Sequence, residues 1–122
     1  MHLKGLPNLE RLSLVRTRTS DAGIANLGEI KSLRSIRLDY TSVTDKGIEV
    51  LKTLPALEEI TLDSLDITDK GAEMLGSMGS LKSLDLYHTL ISEKGLEKLR
   101  AALPNCTILW DKDSALPSRR HL

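Results

Sequence analysis

Ser64 and His88 stand 24 residues apart, with Asp63 beside the first and Asp85 just before the second. A hydroxyl, an imidazole and a carboxylate are the parts of a nucleophilic relay, in which the base takes the hydroxyl proton and the acid orients the base. Asp39, Asp63, Asp85 and His88 are also oxygen and nitrogen donors of the kind that hold a divalent cation. Neither chemistry has its local frame here. No tight strand-to-helix elbow carries Ser64, no Gly-rich turn offers N–H donors to an oxyanion, and the metal donors follow no ligand-spacing motif. Gly23, Gly47, Gly71 and Gly95 each follow a hydroxyl and an acid, so they form no phosphate loop and point to close packing between strand and helix. Cys106 is the single cysteine, which excludes an internal disulfide framework and a Cys-rich zinc site, and it reads as packed in the last turn. The expectation is a chain that is no enzyme and binds no cofactor and no metal.

Bulk properties narrow the partners. A chain of 122 residues allows one domain. Lys plus Arg and Asp plus Glu are each 17, so no net charge draws the chain to nucleic acid or to an anionic membrane. No apolar run approaches the length of a membrane-spanning helix. The segment Met1 to Pro7 has no apolar stretch of the signal-peptide kind. With one free thiol, a reducing, cytoplasmic setting is the expectation. Hydrophobic residues make up 40% while aromatics make up only 2%, and Leu alone accounts for 24 positions, so the core must be aliphatic and built on Leu.

The elements that would position these residues are repeats of 24 residues. Leu9, Leu33, Leu57 and Leu81 form one column, and Leu12, Ile36, Ile60, Leu84 and Ile108 form another. Leu14, Leu38, Leu62, Leu86 and Trp110 form a third, with Trp110 expected to cover the end of the core. The first half of each unit alternates apolar and polar, which predicts strands near 11–13, 35–37, 59–61, 83–85 and 107–109. The second half opens on Ser20-Asp21, Thr44-Asp45, Thr68-Asp69 or Ser92-Glu93. The hydroxyl caps a helix by accepting an orphan N–H, and the acid suits the positive end of the helix dipole. Helices are therefore expected from about 21, 45, 69 and 93. Apolar residues then recur at helical spacing, as in Ile48, Leu51 and Leu54. Such a unit cannot bury its apolar face alone, and stacking units buries it.

On these columns, and on Thr41-Ser42-Val43-Thr44-Asp45-Lys46-Gly47-Ile48-Glu49-Val50-Leu51, the chain resembles leucine-rich-repeat proteins over roughly residues 6–111. The subtype looks like the bacterial repeats with Thr-x-Ile-Thr-Asp-x-Gly-Leu, similar to the GALA and F-box-associated class. The resemblance implies an α/β right-handed solenoid, with parallel strands on the concave face and short helices on the convex one. It also implies a domain over 1–111 of about four and a half repeats, and a disordered tail over 112–122. The implied function is protein binding on the concave sheet. The alternatives are a substrate-recognition fragment of a ubiquitin-ligase-type or effector protein, or a structural piece of a longer array.

Three columns of strand residues point to that concave face: Arg11, Ser35, Glu59, Ser83, Thr107; Ser13, Arg37, Thr61, Asp85, Leu109; and Val15, Asp39, Asp63, Tyr87, Asp111. A fourth at the edge reads Arg16, Tyr40, Ser64, His88, Lys112. The candidate binding residues are Arg11, Arg37, Asp39, Tyr40, Glu59, Asp63, Asp85, Tyr87, His88 and Asp111. Acids outnumber bases there, so a protein or peptide partner with a basic segment is expected, with Tyr40 and Tyr87 as exposed anchors. The like charges of Asp39, Asp63 and Asp85 should repel in the empty site, so neutralising them should leave stability unchanged or slightly raised. Leu3 to Leu6 read as the end of a helix without a polar capping repeat, which suggests self-association through that end. Leu65 replaces the Thr of Thr17, Thr41 and Thr89, so the third turn should be looser.

Overall fold

Short alternation gives short strands. The computed structural model describes residues 9–111 and holds five strands of three residues each: β1 (Arg11–Ser13), β2 (Ser35–Arg37), β3 (Glu59–Thr61), β4 (Ser83–Asp85) and β5 (Thr107–Leu109). They form one parallel sheet in the order β1-β2-β3-β4-β5. The register steps by the repeat, with Leu12 beside Ile36, Ile36 beside Ile60, Ile60 beside Leu84, and Leu84 beside Ile108. Between strands lie α1 (Asp21–Ile24), which continues as a 3-10 turn over Ala25–Glu29, then α2 (Asp45–Leu51), α3 (Asp69–Leu75) and α4 (Glu93–Ala102). Strand positions and helix starts fall where the period places them. The fold is an α/β leucine-rich-repeat solenoid. The expected tail at 112–122 and the expected self-association surface at Leu3 to Leu6 lie outside the described residues.

The core is a wedge of aliphatic side chains between the sheet and the helices. Leu33, Ile36, Leu38, Leu57, Ile60, Leu62, Leu84 and Leu86 are all buried. Burying each such side chain contributes roughly 1.5–3 kcal/mol relative to exposure. Leu9, Leu12, Ile108, Cys106 and Trp110 are only partly buried at the two ends of the stack.

Each of the first four strands leads into a turn whose third residue has a left-handed backbone: Arg16 (φ 59°), Tyr40 (φ 60°), Ser64 (φ 65°) and His88 (φ 58°). For a residue with a side chain this costs about 1–2 kcal/mol, because Cβ crowds the following carbonyl. A threonine offsets it. Thr17, Thr41 and Thr89 donate their hydroxyls to the carbonyls of Leu14, Leu38 and Leu86 at 2.7, 2.7 and 3.0 Å. In the third turn Leu65 has no hydroxyl to give, and its N–H still reaches Leu62 O at 3.3 Å. The Leu65 side chain is buried instead.

The last turn is closed differently from the interior ones. Ile67 O accepts the N–H of Leu90 from the next repeat at 2.9 Å, whereas Ile91 O accepts Trp110 Nε1 at 3.2 Å. The indole thus fills the Leu column and also satisfies a carbonyl.

Candidate functional site on the sheet face

The strand ends of β2, β3 and β4 bring most of the candidate residues together. Asp39 Oδ1 accepts the N–H of Asp63 at 2.8 Å, and its Oδ2 accepts the Thr61 hydroxyl at 3.1 Å. Asp63 Oδ1 accepts the Ser64 hydroxyl at 2.9 Å and lies 2.8 Å from His88 Nδ1. Asp85 Oδ1 accepts the N–H of Tyr87 at 3.1 Å. The rings of Tyr87 and His88 are tilted, 6.0 Å apart. Tyr40 carries the Arg16 guanidinium over its ring at 4.3 Å, a cation–π contact. Asp39, Tyr40, Asp63, Asp85, Tyr87 and His88 are all half-buried.

Electrostatics single out Asp85. Burial pushes its carboxyl above the ordinary aspartate value. The Tyr87 N–H works against that shift, the charges of Asp63 and Asp39 add to it, and His88 opposes it. A charge is thus held beside like charges in a partly dry place, which costs folding energy when it ionises.

The other candidates stand apart. Arg11, Arg37 and Glu59 are exposed, and Asp111 is half-buried at the end of β5. Arg11 and Glu59 border a feature that the column reading missed. Glu10, Arg34, Glu58 and Lys82 repeat every 24 residues with alternating sign. Arg34 donates to both carboxylate oxygens of Glu58 at 3.1 and 3.0 Å, and Lys82 lies 3.5 Å from Glu58. The alternation was visible in the columns, one residue before each strand.

The expected acid roles change in two respects. Asp39 and Asp63 are not idle charges, because Asp39 holds the backbone and a hydroxyl of the next strand. Neutralising the acids therefore removes bonds as well as repulsion. Tyr40 and Tyr87 are half-buried rather than fully exposed, and each is held by a neighbour. In the relay reading His88 would have to stand between Ser64 and an acid. Here Asp63 stands between Ser64 and His88, and one oxygen takes both contacts. Among the described residues, no group of three or more His, Cys, Asp or Glu could hold a metal ion. Burial pushes the Cys106 thiol up, away from the reactive thiolate. No described helix is long and apolar enough to cross a membrane.

The helical side offers one competing surface. A groove of about 630 Å³ runs between α3 and α4, bordered by Lys70, Glu73, Lys94 and Lys98 over Ala72, Leu99 and Ala102. Its charges are mixed.

No family model matches the chain, and no curated protein sequence does. Solved structures do. The chain is similar to the actin-binding site 2 structure of leiomodin-1, with a TM-score of 0.67 at 15% identity over 90% of this chain and 75% of that one. It is also similar to an internalin from Listeria monocytogenes, with a TM-score of 0.66 at 24% identity over 88% of this chain. The match spans 29% of that internalin's length. At these identities the likeness establishes the leucine-rich-repeat solenoid and nothing finer.

Proposed function

We propose that the chain is a protein-binding leucine-rich-repeat scaffold, and that its partner lies on the sheet face across the ends of β2, β3 and β4. The partner brings a basic segment to Asp39, Asp63 and Asp85, with Tyr40, Tyr87 and His88 around it and Arg37 and Asp111 at the margin. Arg11 and Glu59 belong to the outer rim. One observation carries the reading: the Asp85 carboxyl is half-buried near the acids that follow β3 and β2, and its burial first, with their charges adding, raises its pKa. A partner's ammonium or guanidinium would relieve that repulsion and steer approach. The actin-binding site named for the leiomodin fragment supports a protein partner on this fold. The motif Thr41 to Leu51 supports the bacterial repeat class.

The test compares two variants in a pulldown whose retained protein is then measured by surface plasmon resonance. Tyr87→Ala with Asp85→Asn alters the sheet face. Glu49→Gln, Glu73→Gln and Glu97→Gln alter the exposed helical side. Loss of the partner in the first variant alone, with a flatter salt dependence of association, supports the proposal. Loss in the second alone moves the site to the helices and overturns it.

A further inference from the structure

A second row of carboxylates runs along the helical side. Asp21, Asp45 and Asp69 are each the first residue of a helix, where a charge would serve that same helix through its dipole. Their hydrogen bonds go to the next repeat instead. Asp21 accepts the N–H and the hydroxyl of Thr44 at 2.8 and 2.6 Å. Asp45 accepts both from Thr68 at 2.9 and 2.5 Å, and Asp69 both from Ser92 at 2.7 and 2.6 Å. Thr44, Thr68 and Ser92 are the N-caps of α2, α3 and α4. A hydroxyl has one hydrogen. Once it is given to the carboxylate, a lone pair is left facing the helix, and it accepts from Lys46, Lys70 or Gly95 N–H at 3.4, 3.3 or 3.1 Å. The helix glycine makes room for the incoming acid. A Cβ on Gly47 would stand 2.5 Å from Val43 Cγ1 and 2.9 Å from Asp21 Oδ1, and one on Gly71 or Gly95 would collide with Asp45 or Asp69.

The first repeat has the same cap and the same glycine, with no acid of a preceding repeat among the described residues. Ser20 holds the N-cap position with extended backbone, but its side chain makes no cap bond. Among the described residues no carboxylate reaches it. A Cβ on Gly23 would meet only Thr19 Cγ2, at 3.5 Å. Here α1 runs four residues before tightening to a 3-10 turn, while α2 and α3 run seven and α4 ten. Gly28 does not account for this, because Gly76 in the same column follows a full α3.

We infer that the aspartate row is a directional coupling: the acid of each repeat sets the cap hydroxyl of the next, so helical order passes along the array from the N-terminal to the C-terminal side. A helix then depends on the acid one repeat before it more than on the acid at its own start.

Residue-resolved amide hydrogen exchange on the full chain tests this with Asp45→Asn. Asparagine still offers an oxygen to the Thr68 N–H, but its amide nitrogen cannot accept the hydroxyl. Amides of α3 should exchange about tenfold faster, as expected for a lost charge-assisted hydrogen bond. Those of α2 should change only a few-fold, the size of a lost dipole charge. A loss in α2 equal to or larger than that in α3, or no loss in either, overturns the coupling. Thr68→Val removes the hydroxyl alone and should also loosen α3 and spare α2; an unchanged α3 again overturns it. Asp69→Asn repeats the comparison one repeat on, where α4 should loosen about tenfold and α3 only a few-fold, and it decides the matter if Asp45→Asn does not fold.

Discussion

The molecule holds two rows of aspartate that look alike in sequence and differ in circumstance. Asp21, Asp45 and Asp69 on the helical side each receive two short hydrogen bonds from the following repeat. Asp39, Asp63 and Asp85 on the sheet side are unevenly served. Asp39 holds a backbone N–H and a hydroxyl, Asp63 meets Ser64 and His88, and Asp85 accepts one N–H from Tyr87 while burial and its neighbours raise its pKa. The helical row sits in a cradle made for it, down to a glycine with no side chain in the way. The sheet row ends in a carboxylate that folding alone would not choose to keep. Acids that the fold satisfies in pairs are explained by architecture. An acid that the fold penalises is not explained by architecture alone.

Crowding the cradle should have the largest effect. Gly71→Ala would drive a methyl against the Asp45 carboxylate and bring it 2.7 Å from Ile67 Cγ2. Overpacking and the broken acid-to-cap bonds together should cost about 2–4 kcal/mol in denaturant unfolding. Gly23→Ala meets ordinary contact only. It should be neutral or stabilise by up to about 1 kcal/mol, the usual helix advantage of Ala over Gly. Equal losses at the two positions would mean that the carboxylate row does not set the packing.

Within the sheet row the signs should split. Asp39→Asn weakens an acceptor of two hydrogen bonds and should destabilise by about 1 kcal/mol. Asp85→Asn keeps an oxygen for the Tyr87 N–H and removes the penalised charge, so it should stabilise near neutral pH. The sign follows from linkage. A carboxyl whose pKa is raised on folding binds its proton more tightly in the native state, so its ionisation subtracts stability as pH rises through the window from its unfolded to its folded value. The gain of Asp85→Asn over the native chain should therefore shrink as pH falls below that window, where the native carboxyl is protonated too. Urea midpoints of both chains across the acid range measure it. A gain that persists unchanged in acid would trace to something other than the charge.

Much of this was legible in the sequence, and the limits are instructive. The columns Leu12, Ile36, Ile60, Leu84 and the cap pairs from Ser20-Asp21 onward placed every strand and every helix start, because a period repeated four times averages out local ambiguity. The role of the capping acids was not legible in that way. A helix-dipole reading considers only the helix that Asp45 begins, while the contact is to Thr68, in the next repeat. The glycines were read as strand-to-helix packing. That packing is present, with Val43 beside Gly47 and Ile67 beside Gly71, but Gly47, Gly71 and Gly95 also make room for the carboxylate of the preceding repeat, which the columns did not show. The short α1 was not expected from Ser20, Asp21 and Gly23, which follow the pattern of the later units. On the sheet, the columns set Asp63 and His88 on neighbouring strand ends but could not say whether Ser64 turns to His88 or to Asp63.

A third charged row gives the smallest expected effect and the sharpest control. Glu10, Arg34, Glu58 and Lys82 alternate in sign along the other end of the strands, and Arg34 meets Glu58 with a two-point contact. Hydrogen bonding to Arg34 holds the Glu58 carboxyl below its usual value, and the same bond holds the Arg34 guanidinium above its own. Arg34 and Lys82 are exposed and Glu58 is half-buried at the rim, so the attraction is largely screened and ordering two long side chains offsets much of it. Glu58→Gln should thus lower the unfolding midpoint only slightly, and added salt should erase the difference. The pH sign runs opposite to Asp85: a carboxyl lowered on folding adds stability above its unfolded value and loses it as pH falls through its folded one. If Glu58→Gln cost as much as Gly71→Ala, regular spacing and short contacts alone would confer strength. The distinction between a row set in a cradle and a row laid on the surface would then fail.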